Sequence, residues 1–86
     1  MVVMYVIIVY DSSDSNKFRK LLKRYLTWEQ NSVFKGKLTK SSFIKLKNNL
    51  EKISKNEDSL SIFTTEHESI NIYNIGNKKS HDDNFI

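Results

Sequence analysis

Apolar residues occupy one long unbroken run near the start of the chain. From Val2 to Tyr10 every side chain is apolar or aromatic, and valine and isoleucine predominate. Such a run is typical of a central β-strand that is buried on both faces, because a strand with one wet face alternates apolar and polar positions instead. The run ends at Asp11, and a serine-rich turn follows it. The pattern therefore predicts a buried strand with a carboxylate at its exit.

Two later segments repeat apolar residues every three or four positions, as amphipathic helices do. The first helix is predicted from about Ser15 to Leu26 and the second from Ser41 to Ser54. Asp14 or Ser15 is expected to cap the first helix and Thr39 the second, because short oxygen-bearing side chains accept unpaired N–H groups of a first turn. The predicted apolar stripes are Phe18, Leu21, Leu22, Tyr25 and Leu26 in the first helix and Phe43, Leu46, Leu50 and Ile53 in the second.

The remaining apolar segments are expected to be extended. Residues 28–38 predict either one bent strand or a tight hairpin of two very short strands, with a bulge or bend at Gly36. Residues 59–63 alternate polar and apolar side chains, and residues 70–75 form another predicted strand that ends at Gly76. The segment between these two strands is expected to be a connector.

The predicted order of strand, helix, extended segment, helix, strand and strand indicates a single α+β domain. Both helices cover one face of the sheet, so the other face must contact water, a ligand or a second sheet. Tyr5, Tyr10, Phe63 and Tyr73 offer apolar surface for a second copy of the chain related by a twofold axis. A chain of 86 residues buries only about 60% of its unfolded surface, so a partner subunit would add stability.

Composition excludes several classes of protein. The chain has no cysteine, so disulfides and thiolate metal sites are impossible, and its two glycines do not form a phosphate-cradling loop. The apolar run is too short to span a bilayer and no basic segment precedes it, so we expect a soluble cytoplasmic protein with no membrane partner. His67 and His81, each beside acidic residues, are expected to be surface residues rather than metal ligands.

Positive charge is concentrated in the first two thirds of the chain. Residues 1–55 hold 12 Lys and Arg against 4 Asp and Glu, a balance of +8, whereas residues 56–86 hold 2 against 6, a balance of −4. A basic region suits a polyanion such as nucleic acid, and an acidic one suits a basic protein partner or solubility. The basic residues of the first predicted helix form either a phosphate-contacting face or ordinary solvated surface. They are Lys17, Arg19, Lys20, Lys23 and Arg24.

Asp11 is either a metal ligand or a turn residue, and the residues alone leave both readings open. Metal-assisted phosphodiester cleavage usually needs one or two carboxylates, with waters and substrate phosphate completing the Mg²⁺ shell. One aspartate per chain is too few, but a twofold dimer presents Asp11 twice at one interface. Because two close carboxylates repel unless a cation or proton lies between them, dimerisation and metal binding form one hypothesis. Asp14 is assigned to a cap.

Three separated motifs together resemble one family. Residues 5–11, Tyr-Val-Ile-Ile-Val-Tyr-Asp, resemble its first strand and aspartate. Residues 30–36 are similar to its Gln-x-Ser-Val-Phe-x-Gly signature, and residues 58–63 to its Asp-Ser-Val-x-Ile-Tyr strand. Residues 25–28 and 83–86 resemble the subgroup from type I systems. The family is the small CRISPR-associated adaptation protein Cas2, and the resemblance covers nearly the whole chain.

The resemblance implies a ferredoxin-like fold over residues 1–77 and a homodimer whose sheets pack face to face. It implies a polar tail at residues 78–86 that docks a partner. It also implies an Mg²⁺-dependent endonuclease, with Mn²⁺ as a second candidate metal, that acts on single-stranded RNA or double-stranded DNA. Asp11 from each subunit would hold the metal. The further partner would be the CRISPR integrase, Cas-one, during insertion of new spacers.

Three functional hypotheses follow. In the first, the dimer is a metal-dependent phosphodiesterase in which Asp11 is catalytic and the basic helix contacts the nucleic-acid backbone. In the second, the dimer is a non-catalytic adaptor that grips duplex DNA and docks the integrase through its acidic C-terminal part. We favour the adaptor as the cellular role and keep nuclease activity as a property that the family is credited with. The third is a toxin-like RNA nuclease of similar fold.

Overall fold

The computed structural model describes residues 3–66 and 69–76. His67, His81 and the tail at 78–86 therefore lie outside the described residues. Seven elements are present in this part of the chain: β1 Val3–Asp11, α1 Ser15–Leu22, β2 Thr27–Gln30, β3 Val33–Thr39, α2 Lys40–Ile53, β4 Ser59–Glu66 and β5 Ser69–Gly76. Neither helix in the described ranges is long and apolar enough to cross a membrane.

All five strands form one antiparallel sheet in the order β2-β3-β1-β4-β5. The first four strands and the two helices follow the strand–helix–strand–strand–helix–strand connectivity of a ferredoxin-like fold, with β5 added beside β4. The predicted α+β class and ferredoxin-like architecture are confirmed. The first strand is central, as predicted, because β3 and β4 pair with its two edges.

Side chains of β1 alternate strictly between a buried and an exposed face. Its even-numbered residues lie in the core with both helices, whereas Tyr5, Ile7 and Val9 are 58%, 42% and 38% exposed. The prediction that this strand is buried on both faces is therefore wrong for a single chain, because both helices pack on the same side of the sheet. The core consists of Met4, Val6, Ile8, Tyr10, Phe18, Leu22, Leu26, Phe34, Leu38, Phe43, Leu46, Leu50, Leu60 and Ile62.

The aromatic residues expected on the uncovered face divide between the two faces. Tyr5 lies on that face, and half-buried Phe63 shares it because Phe63 pairs with Ile7 across β1 and β4. Tyr10 is instead buried on the helix side, with its ring centroid 5.4 Å from that of Phe18. Tyr73 packs against Phe43 of α2 at 5.7 Å between centroids. Strand alternation assigns these faces, since neighbouring positions point to opposite sides.

The segment at 28–38 is a hairpin, the second of the two predicted alternatives. Asn31 and Ser32 connect β2 to β3, and Asn31 has a φ of 41°, a left-handed conformation that asparagine tolerates better than most residues. The register shifts between Trp28 and Gln30, so the irregularity lies in β2 and the bulge predicted at Gly36 is wrong. Gly36 pairs regularly with Val6, and a Cβ there would meet the Leu26 side chain at 3.0 Å.

The two predicted helix caps have different outcomes. Thr39 caps α2 as predicted, because its hydroxyl accepts a 3.2 Å hydrogen bond from the backbone N–H of Ser42. Asp14 occupies the cap position of α1, but its side chain makes no capping bond. Its backbone N–H donates to the Ser12 hydroxyl at 3.0 Å instead. Helix α1 also ends four residues earlier than predicted, at Leu22, and a turn carries the chain to buried Leu26.

Candidate metal and nucleic-acid site

Asp11 is the last residue of β1, and its exposed side chain belongs to the uncovered face of the sheet. Strand alternation places it on the same side as Val9, Ile7 and Tyr5. Its register partner on β4 is Ser59. The acidic group therefore stands at one end of an exposed apolar stripe rather than within the helix layer.

The uncovered face carries further apolar residues on β4 and β5. On β5, Ile70 and Ile72 are 69% and 55% exposed, and Ile72 pairs with Phe63. On β3, Lys35 and Lys37 border the stripe, and the Lys37 ammonium lies 5.1 Å from the centre of the Tyr5 ring. Isolated exposed apolar residues are common, but a contiguous patch across three strands is typical of an interaction surface.

The turn that follows Asp11 is fixed by the buried carboxylate of Asp58, which is 2% exposed. The Ser12 hydroxyl donates to one carboxylate oxygen at 2.6 Å. The other oxygen accepts from the Lys17 ammonium at 2.6 Å and from the backbone N–H of Lys55 at 2.9 Å. These bonds tie the exit of β1, the first turn of α1 and the entry of β4 together.

The pKa of Asp58 reflects competition between burial and its partners. Burial acts to raise the pKa, because it disfavours the charged carboxylate. The hydrogen bonds from Lys17, Ser12 and the Lys55 backbone, together with the positive charge of Lys17, outweigh burial and lower the pKa to about 2. Asp58 is therefore an ionised structural group at neutral pH.

Sequence reasoning assigned no role to Asp58. The signal available was an aspartate directly before a strand, at the start of the motif at residues 58–63. Ser12 and Lys17 lie 46 and 41 positions away, so only the tertiary structure brings the three groups together.

The five predicted phosphate-contacting residues of the α1 segment do not share one environment. Lys17 is held by Asp58 and its side chain is only 19% exposed. Lys20, Lys23 and Arg24 are exposed, and so is Arg19. The positive charge of Arg19 acts on Tyr10, whose pKa is raised by burial against the opposing effects of Arg19 and a hydrogen bond with Ser32. All five lie in the helix layer, on the other side of the sheet from the face that carries Asp11.

The available donor set is compatible with a hard divalent cation. Within residues 3–66 and 69–76 no group of three or more histidine, cysteine, aspartate or glutamate side chains could hold a metal. Asp58 is paired with Lys17, whereas Asp11 is exposed at the end of β1. Mg²⁺ binds through as few as one or two carboxylates and keeps several waters, which fits an exposed Asp11. A twofold partner would supply a second Asp11 carboxylate.

The chain matches the family model described as CRISPR associated protein Cas2 over residues 4–82. It is 39% identical to a protein named CRISPR-associated endoribonuclease Cas2 from Methanosarcina acetivorans, over 96% of this chain and 100% of that protein. A relative with the same name from Thermotoga maritima is 35% identical over 92% of this chain and 95% of its own length.

A solved structure is also similar in sequence and in fold. The structure titled "Crystal structure of cas2" superposes with a TM-score of 0.72 at 41% identity, and the match covers 91% of this chain and 92% of that one. The similarity extends over both helices and the sheet, so it is a match of the whole domain rather than of one motif.

Proposed function

This chain belongs to the CRISPR-associated protein Cas2 family, and from this premise we propose that it is a CRISPR-associated endoribonuclease that acts as a homodimer. The observation that carries the proposal is the position of Asp11 at the end of the exposed apolar face. The names of the relatives suggest the reaction, and the exposed face offers a surface through which two chains could bring two copies of Asp11 to one interface.

The proposed dimer forms by packing the uncovered faces of two sheets together. A single chain leaves Tyr5, Ile7, Ile70 and Ile72 in contact with water, and burying apolar surface contributes about 25 cal/mol per Å². A twofold axis uses the same patch on both chains, so each residue of the face occurs twice in the interface. Because Asp11 belongs to that face, both copies of its carboxylate border one interface.

In the proposed mechanism Asp11 supplies an anionic oxygen ligand from each chain. A bound Mg²⁺, or Mn²⁺ in its place, would provide Lewis-acid polarisation of a phosphate and a lowered pKa for an attacking water. The protein's contribution is positioning. Asp58 holds Ser12, the residue after Asp11, and so limits the freedom of the strand end. Arg19, Lys20, Lys23 and Arg24 of the α1 segment attract the nucleic-acid backbone without regard to sequence.

The same dimer is proposed to serve as an adaptor in spacer acquisition. Its basic helix layer suits duplex DNA, and the acidic residues 56–86 suit a basic surface on the CRISPR integrase. A purely non-catalytic adaptor is the second candidate. The observation that favours it is that, among the described residues, no group of three or more histidine, cysteine, aspartate or glutamate side chains could hold a metal.

Replacement of Asp11 tests the nuclease proposal. The Asp11→Asn protein should lose cleavage of single-stranded RNA in Mg²⁺, while its mass by light scattering stays that of a dimer. Asp14→Asn is the matched control, because Asp14 is an exposed aspartate three residues away whose side chain makes no capping bond. Undiminished cleavage by purified Asp11→Asn protein would reject the nuclease and leave the adaptor. The same cleavage assay is repeated with double-stranded DNA, and the activity of the wild-type protein on the two nucleic acids identifies the substrate class.

A further inference from the structure

A surface groove runs between α1 and α2 on the helix side of the protein, with a volume of about 390 Å³. This volume lies within the roughly 300–1,000 Å³ typical of ligand sites. Lys17, Lys20 and Arg24 line it from the α1 segment, and Lys52 lines it from α2. The groove is thus bordered by four cationic side chains, and it lies across the sheet from the face of Asp11.

Three of the four cations are not neutralised. Lys17 is paired with Asp58, whereas no ion pair within the described residues includes Lys20, Arg24 or Lys52. Lys20 and Arg24 border the same groove, so their like charges repel each other. Since no carboxylate of the described residues lines the groove, an incoming anion would relieve this repulsion.

The lining of the groove also includes apolar side chains. Leu21 and Ile53 line it and are only partly buried against the core. A duplex presents phosphates and grooves on its outside, so it leaves such apolar surface unused. A single strand presents phosphates together with unpaired bases and sugars that contact apolar or aromatic surfaces. Asn49 adds an amide to the wall, which can donate to a phosphate oxygen or a base.

We propose that the groove between α1 and α2 binds the backbone of single-stranded nucleic acid, with Lys20, Arg24 and Lys52 on its phosphates and Leu21 and Ile53 against its bases or sugars. This inference rests on the proposed function and refines it. It adds Lys52 to the binding surface and separates strand binding on the helix side from the Asp11 chemistry on the sheet side. Arg19 and Lys23 do not line the groove and contribute only general positive charge.

The test compares two variants of equal charge. Lys20→Gln/Lys52→Gln removes one lysine from each wall of the groove. Lys40→Gln/Lys47→Gln removes two lysines of α2 that do not line it. Binding of a fluorescently labelled single-stranded RNA is measured by anisotropy across a salt series, with thermal unfolding by circular dichroism as the check on folding. The groove variant should bind more weakly, and the magnitude of its log–log salt slope should fall by about 1.4, which is about 0.7 for each lysine that contacts a single strand. The control should keep the wild-type slope.

Each outcome decides the matter. Equal losses of RNA affinity in both variants, or an unchanged salt slope in the groove variant, would overturn the inference. In that case, cleavage by the wild-type protein would still support the proposed function. A groove variant that loses affinity for a labelled duplex but not for the single strand would also overturn it. If the wild-type protein neither binds nor cleaves, the proposed function and the groove site fail together. An Asp11→Asn protein should retain full single-strand affinity, because Asp11 lies across the sheet.

Discussion

Ser12 donates a 2.6 Å hydrogen bond to the buried carboxylate of Asp58, although 46 positions separate the two residues in the chain. Ser12 directly follows Asp11, and Asp58 directly precedes Ser59, the register partner of Asp11 on the next strand. The bond therefore closes the end of the β1–β4 pair at the point where Asp11 leaves the sheet. The candidate metal ligand is exposed, but its backbone is anchored by a buried ionic group.

Removal of Asp58 should destabilise the protein strongly. In Asp58→Ala the Lys17 ammonium, whose side chain is 19% exposed, loses its carboxylate partner, and Ser12 loses its acceptor. Removal of one partner of a buried ion pair typically lowers the free energy of unfolding by about 3–5 kcal/mol. Urea unfolding measures the loss. Glu51→Ala is the matched control, because its pair with Lys47 is exposed and should contribute less than about 1 kcal/mol. Equal effects of the two substitutions would contradict the structural role of Asp58.

Stability should also fall in acid because of Asp58. Its pKa is about 2 in the folded protein, below the ordinary 3.8, so the unfolded chain binds the proton more tightly. The stabilisation is therefore complete above about pH 5 and is lost as the pH falls toward 2, with a total of about 2–3 kcal/mol. Urea midpoints measured from pH 6 to pH 2 should decline in the wild type. The Asp58→Asn protein should show a shallower decline, and an identical decline would argue against this assignment.

A charge on the uncovered face should separate the proposed dimer. Ile7→Glu places a carboxylate at the centre of the apolar stripe, where face-to-face packing would bury it without a partner at a cost of several kcal/mol. The folded monomer should tolerate the change, because Ile7 is already 42% exposed. Light scattering should report a single chain for Ile7→Glu. The same substitution at Ile44, which is 47% exposed on α2, should leave the dimer intact. A dimer in both variants would exclude this face as the interface.

Helix capping supplies a smaller, local prediction. Thr39→Ala removes the side-chain bond to the Ser42 N–H and should cost about 1 kcal/mol of unfolding free energy. Asp14→Ala should change stability by less than about 0.5 kcal/mol, as is usual for a surface site that lacks such a bond. Thermal unfolding of the two variants measures this difference in stability. A larger loss at Asp14 would mean that its carboxylate stabilises α1 in another way.

Local patterns in the sequence were sufficient for the order of elements and for the cap at Thr39. They were not sufficient where the same local sequence pattern is compatible with two different structures. Asp14 and Thr39 both precede amphipathic segments, but at the first helix Ser12 accepts the N–H of Asp14 and no cap bond forms. The apolar run of β1 predicts burial on both faces. In a single chain one of these faces is exposed, and its apolar residues would suit contact with a second chain.

The candidate site shows the same limit. The position of Asp11 at a strand end follows from the sequence, because a carboxylate directly after an apolar run leaves few alternatives. The role of Asp58 does not follow, since its partners at 12 and 17 are brought near only by strand pairing. Nor does the helical period alone separate Lys20 from Lys23. The position of α2 decides that Lys20 faces Lys52 across a groove.

The β2 edge of the sheet is a poor site for the addition of a further strand. Strand β2 has only four residues, and the register shift between Trp28 and Gln30 interrupts its ladder. The Trp28 indole N–H also donates to the Asn31 carbonyl at 3.0 Å, which ties the strand end to its own turn. Short, irregular edges are poor templates for an incoming strand. Growth into fibres by strand addition at this border is therefore discouraged.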